Sequence, residues 1–252
     1  MLAGLGILAL SADNPLTLVL VWAALDLTEA GLLLARLENR AGNMHVAYAF
    51  TMRLLSIGLV MLAFVLGEAS TASAKFSEIK APIALGLLPM AALLRLGAFA
   101  FQWPSNPGAS PDDLGNMLQL TAGAASVGFL SQVPASAGNL PSVVLSAVLT
   151  IFAGWSFLRT GDMHDTRPLW IMSVGGLAVA AAVLANPMGS AAWCCAILLA
   201  GSPLFVGASR GKWARRVVLI VLWLLSGLPF SLTASAWSPT VSGWIWMLPV
   251  FL

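Results

Sequence analysis

The side chains best placed to do chemistry in this chain are a few ionisable groups set inside apolar runs. Arg95 lies near the middle of the run that opens at Ala81. An aromatic exit (Phe99, Phe101, Trp103) and a loop holding Pro104, Pro107 and Pro111 follow it. A charge at bilayer depth costs roughly 2.5 to 3.5 kcal/mol on insertion scales, so it needs a partner or a wet cavity. Asp26 and Glu29 stand three apart in the run Leu16 to Ala35 and share one helical face. Arg53 sits about two turns into the run Val46 to Gly67. Two chemistries fit these residues. One is an ion pathway through the membrane; the other is a buried clamp, with arginine held by a carboxylate or by helix-end carbonyls.

Other chemistry finds little to stand on. Cys194 and Cys195 are adjacent in an apolar run, where neighbours point about 100° apart and read as small buried side chains rather than a redox pair. His45 and His164 are the only histidines, too few nitrogen and sulfur ligands for a metal site. No phosphate-binding glycine loop and no nucleophile with its base is present, so the residues carry no catalytic, cofactor or metal assignment and no enzyme activity of the chain alone.

The elements that position these charges follow from composition. The chain is 59% hydrophobic and 9% charged with a net charge of +2, which implies a polytopic membrane protein and gives no basic stripe for nucleic acid. The runs are about 20 residues long without period-two alternation, which predicts spanning helices rather than a barrel. No basic stretch leads into a short apolar run and cleavage site, so Met1 is read as the start of the mature chain.

Ten segments are expected. Met1 to Ala12 reaches only about 18 Å, a half-helix. After Asp13-Asn14-Pro15, a cap with proline at the start, Leu16 to Ala35 spans. Val46 to Gly67, the Arg95 run and Leu114 to Ser131 complete the first half. The fifth of these carries a polar stripe of Asn116, Gln119, Thr121 and Ser126, a pattern more typical of helix packing than of a pathway. Ser142 to Leu158, Leu169 to Ala185, Ala191 to Ala208, Val217 to Ser235 and the half-length Val241 to Leu252 form the second half. Trp103, Trp155, Trp170, Trp213 and Trp237 fall near segment ends, where interfacial anchors belong.

The fold class predicted is therefore an all-α polytopic membrane protein, a single membrane domain over 1–252. Loops after even segments hold Arg36, Arg40, Arg159, Arg167, Arg210, Lys212, Arg215 and Arg216, whereas those after odd segments hold only Lys75 and Lys80. The positive-inside rule then makes the even loops and the N-terminus cytoplasmic. Five segments per half is an odd number, so any repeat (about 1–132 and 140–252) must be inverted.

Several stretches resemble a known family: the antiporter-like, proton-translocating subunits of respiratory complex I, Mrp-type antiporters, membrane-bound hydrogenases and inorganic-carbon pumps. ADNPLTLVLVWAALDLTEAGLLL (12–34) is similar to the family's Asp-Asn-Leu-Leu run leading to Trp-Glu. AYAFTMRLLSIG (47–58) places Arg53 on the family arginine, and LLRLGAFAFQWPSNPGASP (93–111) resembles its Lys-Ala to Pro-x-Pro signature with one residue deleted. LTIFAGWSFLRTGDMHDTRPLWIMSVGG (149–176) and WLLSGLPFSLTASAW (223–237) resemble second-repeat segments. The departures are specific. Ala23 stands for the family glutamate, Arg95 for its lysine, Ala100 and Gln102 for its proline and histidine, and Gln119 near its next ionisable position. The ninth segment lacks the second-repeat lysine.

The resemblance implies a short subunit of a larger energy-converting complex in a bacterial inner membrane, structural or partly proton-conducting. Its ion pathway or buried pair would involve Asp26, Glu29, Arg53, Arg95 and Gln119, with Asp26 the first choice as counter-ion to Arg95 and Glu29 the second. Other membrane subunits would pack against both half-length termini. A working proton channel module rebuilt around Asp26, Glu29 and Arg95, and a self-contained secondary transporter, remain as alternatives. Arginine stays charged and cannot relay protons, and segments six to ten offer no acid, histidine or lysine at midplane depth. The topology is testable by single-cysteine labelling: sites at 36–44 and 209–216 should be protected from outside intact cells, and labelling there from the periplasm would sink the assignment.

Overall fold

A computed structural model of the chain describes residues 6, 8–36, 40–67, 75–97, 113–134, 140–160, 163–205, 212–228 and 230–237, with backbone alone for 32–36, 40–46, 113–118, 163–165 and 212–215. The apolar runs become helices, and no strand occurs among the described residues. They are α1 (Pro15–Arg36), α2 (Arg40–Leu66), α3 (Pro82–Arg95), α4 (Asp113–Gly128), α5 (Leu140–Arg159), α6 (Met163–Val183), α7 (Pro187–Phe205), α8 (Lys212–Leu225) and the short α9 (Ala234–Trp237). Two 3-10 turns, Phe76–Glu78 and Phe129–Gln132, precede α3 and follow α4. Helical backbone is also present at 8–10.

Local signals explain the boundaries. Asn14 caps α1: its side-chain oxygen accepts from the Leu16 N–H at 2.7 Å, and Pro15 occupies the first position, where no N–H is needed. Asn186 does the same for α7, accepting from Gly189 at 2.8 Å, while its amide donates to the Ser235 carbonyl at 3.1 Å and ties α9 to that end. The end of α6 is a Schellman turn. Asn186 N–H bonds the Ala181 carbonyl at 2.9 Å and Ala185 N–H bonds that of Ala182 at 3.1 Å, with Ala185 at φ 63.

Among the described residues, four helices are long and apolar enough to cross a membrane: Ala47–Leu66 in α2, α5, Thr166–Val183 in α6, and α7. α6 and α7 are the more enclosed, while α2 and α5 turn most of their surface outward. Close contacts through small residues hold the centre together. A Cβ at Gly201 of α7 would stand 2.7 Å from Leu120 of α4, and one at Gly176 of α6 would stand 3.3 Å from the Ser146 carbonyl of α5. Such residues let helices approach where lipid gives no hydrophobic drive between them. The polarity is that of a helical membrane protein: Leu20, Leu27, Val65, Ile83, Ile151 and Leu158 face outward, while Asp26, Glu29 and Arg95 are buried. In water each such outward side chain would forgo about 1.5 to 3 kcal/mol of burial.

Three expectations need correction. The fourth segment does not carry Arg95 at its middle. α3 is a 14-residue helix with Arg95 in its last turn, about 21 Å long against a core of about 30 Å, and the chain turns at Gly97 with φ 91. Val217 to Ser235 is not one helix. α8 ends at Leu225, Gly227 (φ 70) and Phe230 (φ 68) take left-handed backbone, and α9 starts at Ala234, because Pro229 denies an N–H and disfavours helix in the residue before it. Cys195 is exposed and only Cys194 is buried, as adjacent positions on a helix dictate. The segments 98–112 and Val241 to Leu252 lie outside the described residues. The described part of the first segment packs on its own chain, with Ala9 fully buried and Gln132 reaching the Leu10 carbonyl at 3.5 Å.

Ala185 sits in left-handed backbone and is exposed, so its Cβ is strained and unpacked. Ala185→Gly should raise stability by about 0.5 to 1 kcal/mol, read as an increase in the thermal midpoint in detergent. A fall would show that the Schellman turn is not formed.

Candidate functional site: a four-charge network beside a cavity

α1 presents a stripe of Leu18, Trp22, Leu25, Asp26 and Glu29, all buried, with Leu20 and Leu27 on the outward side. Spacings of four and three put Trp22, Asp26 and Glu29 one above another. Two neighbouring helices deliver the cations. Arg95 comes from the last turn of α3, where a positive charge also suits the carbonyl end of the helix. Its Nη1 donates to Asp26 Oδ2 at 2.8 Å and its Nη2 to Oδ1 at 2.6 Å, a fork-on-fork pair. Both side chains are 1% exposed.

Arg53 comes from α2 and forks onto Glu29, with Nη2 to Oε1 at 2.9 Å and Nη1 closer still to Oε2. The same Nη1 lies 3.4 Å from Asp26 Oδ1, which joins the two pairs into one network. Two anions and two cations cancel. Every carboxylate oxygen in it accepts from a guanidinium, and arginine has no accessible neutral form. The arrangement ties α1 to both α2 and α3.

The network is seated on aromatic rings. The Arg95 guanidinium lies 4.3 Å above the centre of Trp22. Trp22 in turn donates its Nε1–H to the Ala125 carbonyl of α4 at 3.1 Å and meets Phe129 edge-on at 5.4 Å. Phe76, also 5.4 Å from Phe129, belongs to the turn whose backbone N–H bonds the Asp13 carbonyl at 3.0 Å. The charges are thereby tied to α4 and to the start of α1.

A cavity of about 60 Å³ opens beside the network, walled by Glu29, Arg53 and Arg95 on one side and by Gln119, Ser126, Pro168 and Met172 on the other. At roughly 10 to 15 Å³ for one water, it has room for a few.

The structure thus brings Asp26, Glu29, Arg53 and Arg95 together, and Asp26 is the counter-ion of Arg95. Gln119 stands apart from the pairs. It is an exposed residue on the cavity wall, and its carbonyl oxygen faces Arg167 Nη1 at 3.5 Å. Arg167 is the residue that reading the sequence misses. Assigned to the loop before Leu169, it lies inside α6, which starts at Met163, and is buried. Trp22 as the seat of Arg95 was equally hidden, although its spacing of four from Asp26 carried the signal. Phe99, Ala100, Phe101, Gln102, Trp103 and the prolines after them lie outside the described residues. Among the described residues no group of histidine, cysteine and carboxylate side chains could hold a metal ion.

No family model matches the chain, and no curated protein does.

Breaking a buried pair leaves its partner uncompensated, a loss of about 3 to 5 kcal/mol by analogy with soluble proteins. Arg95→Ala and Asp26→Asn should each destabilise the chain by that order in detergent unfolding, and the double variant should cost clearly less than their sum. Additive losses would show that the two side chains do not interact.

Proposed function

We propose that the chain is an antiporter-like membrane subunit of a larger energy-converting complex, in which the Asp26–Arg95 and Glu29–Arg53 pairs clamp α1, α2 and α3 beside a hydrated cavity. The observation that carries the clamp is that both oxygens of each carboxylate accept from a guanidinium. A relay needs groups that gain and lose protons; a pair of arginines locked on their acids favours fixed charge instead. Membership in the complex rests on the resemblance of 12–34, 47–58, 93–111 and 149–176 to the antiporter-like subunits. The same proposal includes ten segments in two inverted halves, a cytoplasmic N-terminus, a bacterial inner membrane and neighbouring subunits at both ends.

One observation favours a second reading, a proton channel module: Glu29 lines the cavity. The two part in the behaviour of assembled complex. Purified in mild detergent, the chain should bring other membrane subunits with it, and running as a monomer would overturn the complex. On the clamp reading Arg95→Lys assembles and leaves any proton flux of the reconstituted complex unchanged, and assembled Asp26→Asn retains that flux. Loss of flux in Asp26→Asn that assembles at wild-type level would replace the clamp with the channel.

A further inference from the structure

Among the described elements α8 packs chiefly on α7, and it leaves most of its circumference uncovered. Val221 is buried, whereas Val218, Leu219, Ile220, Leu222 and Trp223 are between 44% and 59% exposed. With 3.6 residues per turn those five cover an arc of roughly 200°. A helix turns a stripe of about 100° to a packed neighbour, so the arc is wider than one helix contact needs.

The same arc begins in cations. Lys212, Arg216, Leu219 and Trp223 stand at spacings of four, three and four, and Arg215, Leu219 and Leu222 at four and three, so the register of α8 sets each basic position in line with exposed apolar ones. Arg216 has an interaction within the chain and is still exposed. Arg210 precedes the helix, and no acidic residue follows Asp165 in the sequence. Even with every acid of the loops after even segments counted (Glu38, Asp112, Asp113, Asp162 and Asp165), the eight basic residues of those loops stay in excess. The length completes the pattern. From Val217 to Leu225 α8 rises about 13 Å, close to the depth of one leaflet in a hydrocarbon core of about 30 Å, and the chain then turns at Gly227.

We propose that the outward arc of α8 binds an anionic phospholipid of one leaflet, its phosphate at Lys212, Arg215 and Arg216 and its acyl chains along Leu219, Leu222 and Trp223. A phosphodiester with no ammonium of its own answers the cations, as clusters of Lys and Arg beside a membrane helix answer anionic lipid. The chains answer the apolar arc, which a free anion would leave bare. The site does not depend on whether the chain belongs with the antiporter-like subunits.

The test is thermal unfolding of the chain in neutral detergent, with whatever subunits accompany it, after addition of phosphatidylglycerol or of phosphatidylcholine with the same acyl chains. Phosphatidylglycerol should raise the midpoint by about 2 to 4 °C more than phosphatidylcholine. The triple change Lys212→Gln, Arg215→Gln, Arg216→Gln should abolish the difference, and Arg215→Lys with Arg216→Lys should keep it. Leu219→Ala with Leu222→Ala leaves the cations and truncates the apolar rows, so it should at least halve the shift; it decides the matter if the triple variant does not insert or fold. Arg159→Gln, which removes an exposed guanidinium stacked on Trp155 of α5, should leave the shift intact. Equal midpoints for wild type in the two lipids would overturn the proposal. So would a shift that survives in the triple variant, one that inorganic phosphate alone reproduces, or a crosslink from Ile220→Cys to a helix of another subunit.

Discussion

Burying the Arg95 guanidinium is the constraint that the rest of the arrangement answers. A cation taken out of water must recover its hydration from fixed groups, and here it does so from both oxygens of Asp26 and the face of Trp22. Those groups come from one helix, four residues apart, so α3 has one productive height and rotation against α1. The Glu29–Arg53 fork then sets α2 against the same face. Ion pairs of this kind add little net stability over a well-packed apolar contact, yet they penalise every wrong register heavily. Directional pairs suit a lipid environment, where apolar surfaces alone scarcely distinguish one helix contact from another.

How much of this was legible depended on how local the cause was. Helices followed from the length of the apolar runs, and the start of α1 from Asn14 and Pro15. The shared face of Asp26 and Glu29 followed from helical spacing alone. The pairing of Arg53 with Glu29 was not legible, because it depends on the relative height of two helices and the reach of a long side chain. Arg167 was hidden because the seventh segment was read as starting at Leu169, whereas α6 starts at Met163 and carries Pro168 in its interior. Gly227 and Pro229 did announce the break after α8, but the apolar run around them outweighed the turn signal. In Arg95 the type of residue was read correctly and its position in the helix was not: Gly97, in left-handed backbone at φ 91, is the stop signal, and the apolar run around it outweighed it.

The cavity has a related logic. Its wall opposite the network is made of α4 and α6, helices brought close by small side chains, and the arginines prevent collapse from the other side. Cavities lined by apolar groups stay dry, whereas polar walls hold water or ions in place. Arg167, outside that wall, reaches it through Gln119 Oε1 at 3.5 Å.

The order of the network along the chain bears on its biogenesis. The two acids lie in α1, and their cations follow in α2 and α3, so a growing chain presents Asp26 and Glu29 to the membrane before either arginine reaches it. Taken singly, α1 is a poor substrate for insertion, because each mid-helix acid is disfavoured by about 2.5 to 3.5 kcal/mol. Entering together with α2 as a hairpin cancels one acid within the same step, and α3, arriving next, cancels the other. All four members lie within the first 95 residues, so the charge balance of this core is complete before α4 to α9 are synthesised. The later helices meet a neutral, already registered unit.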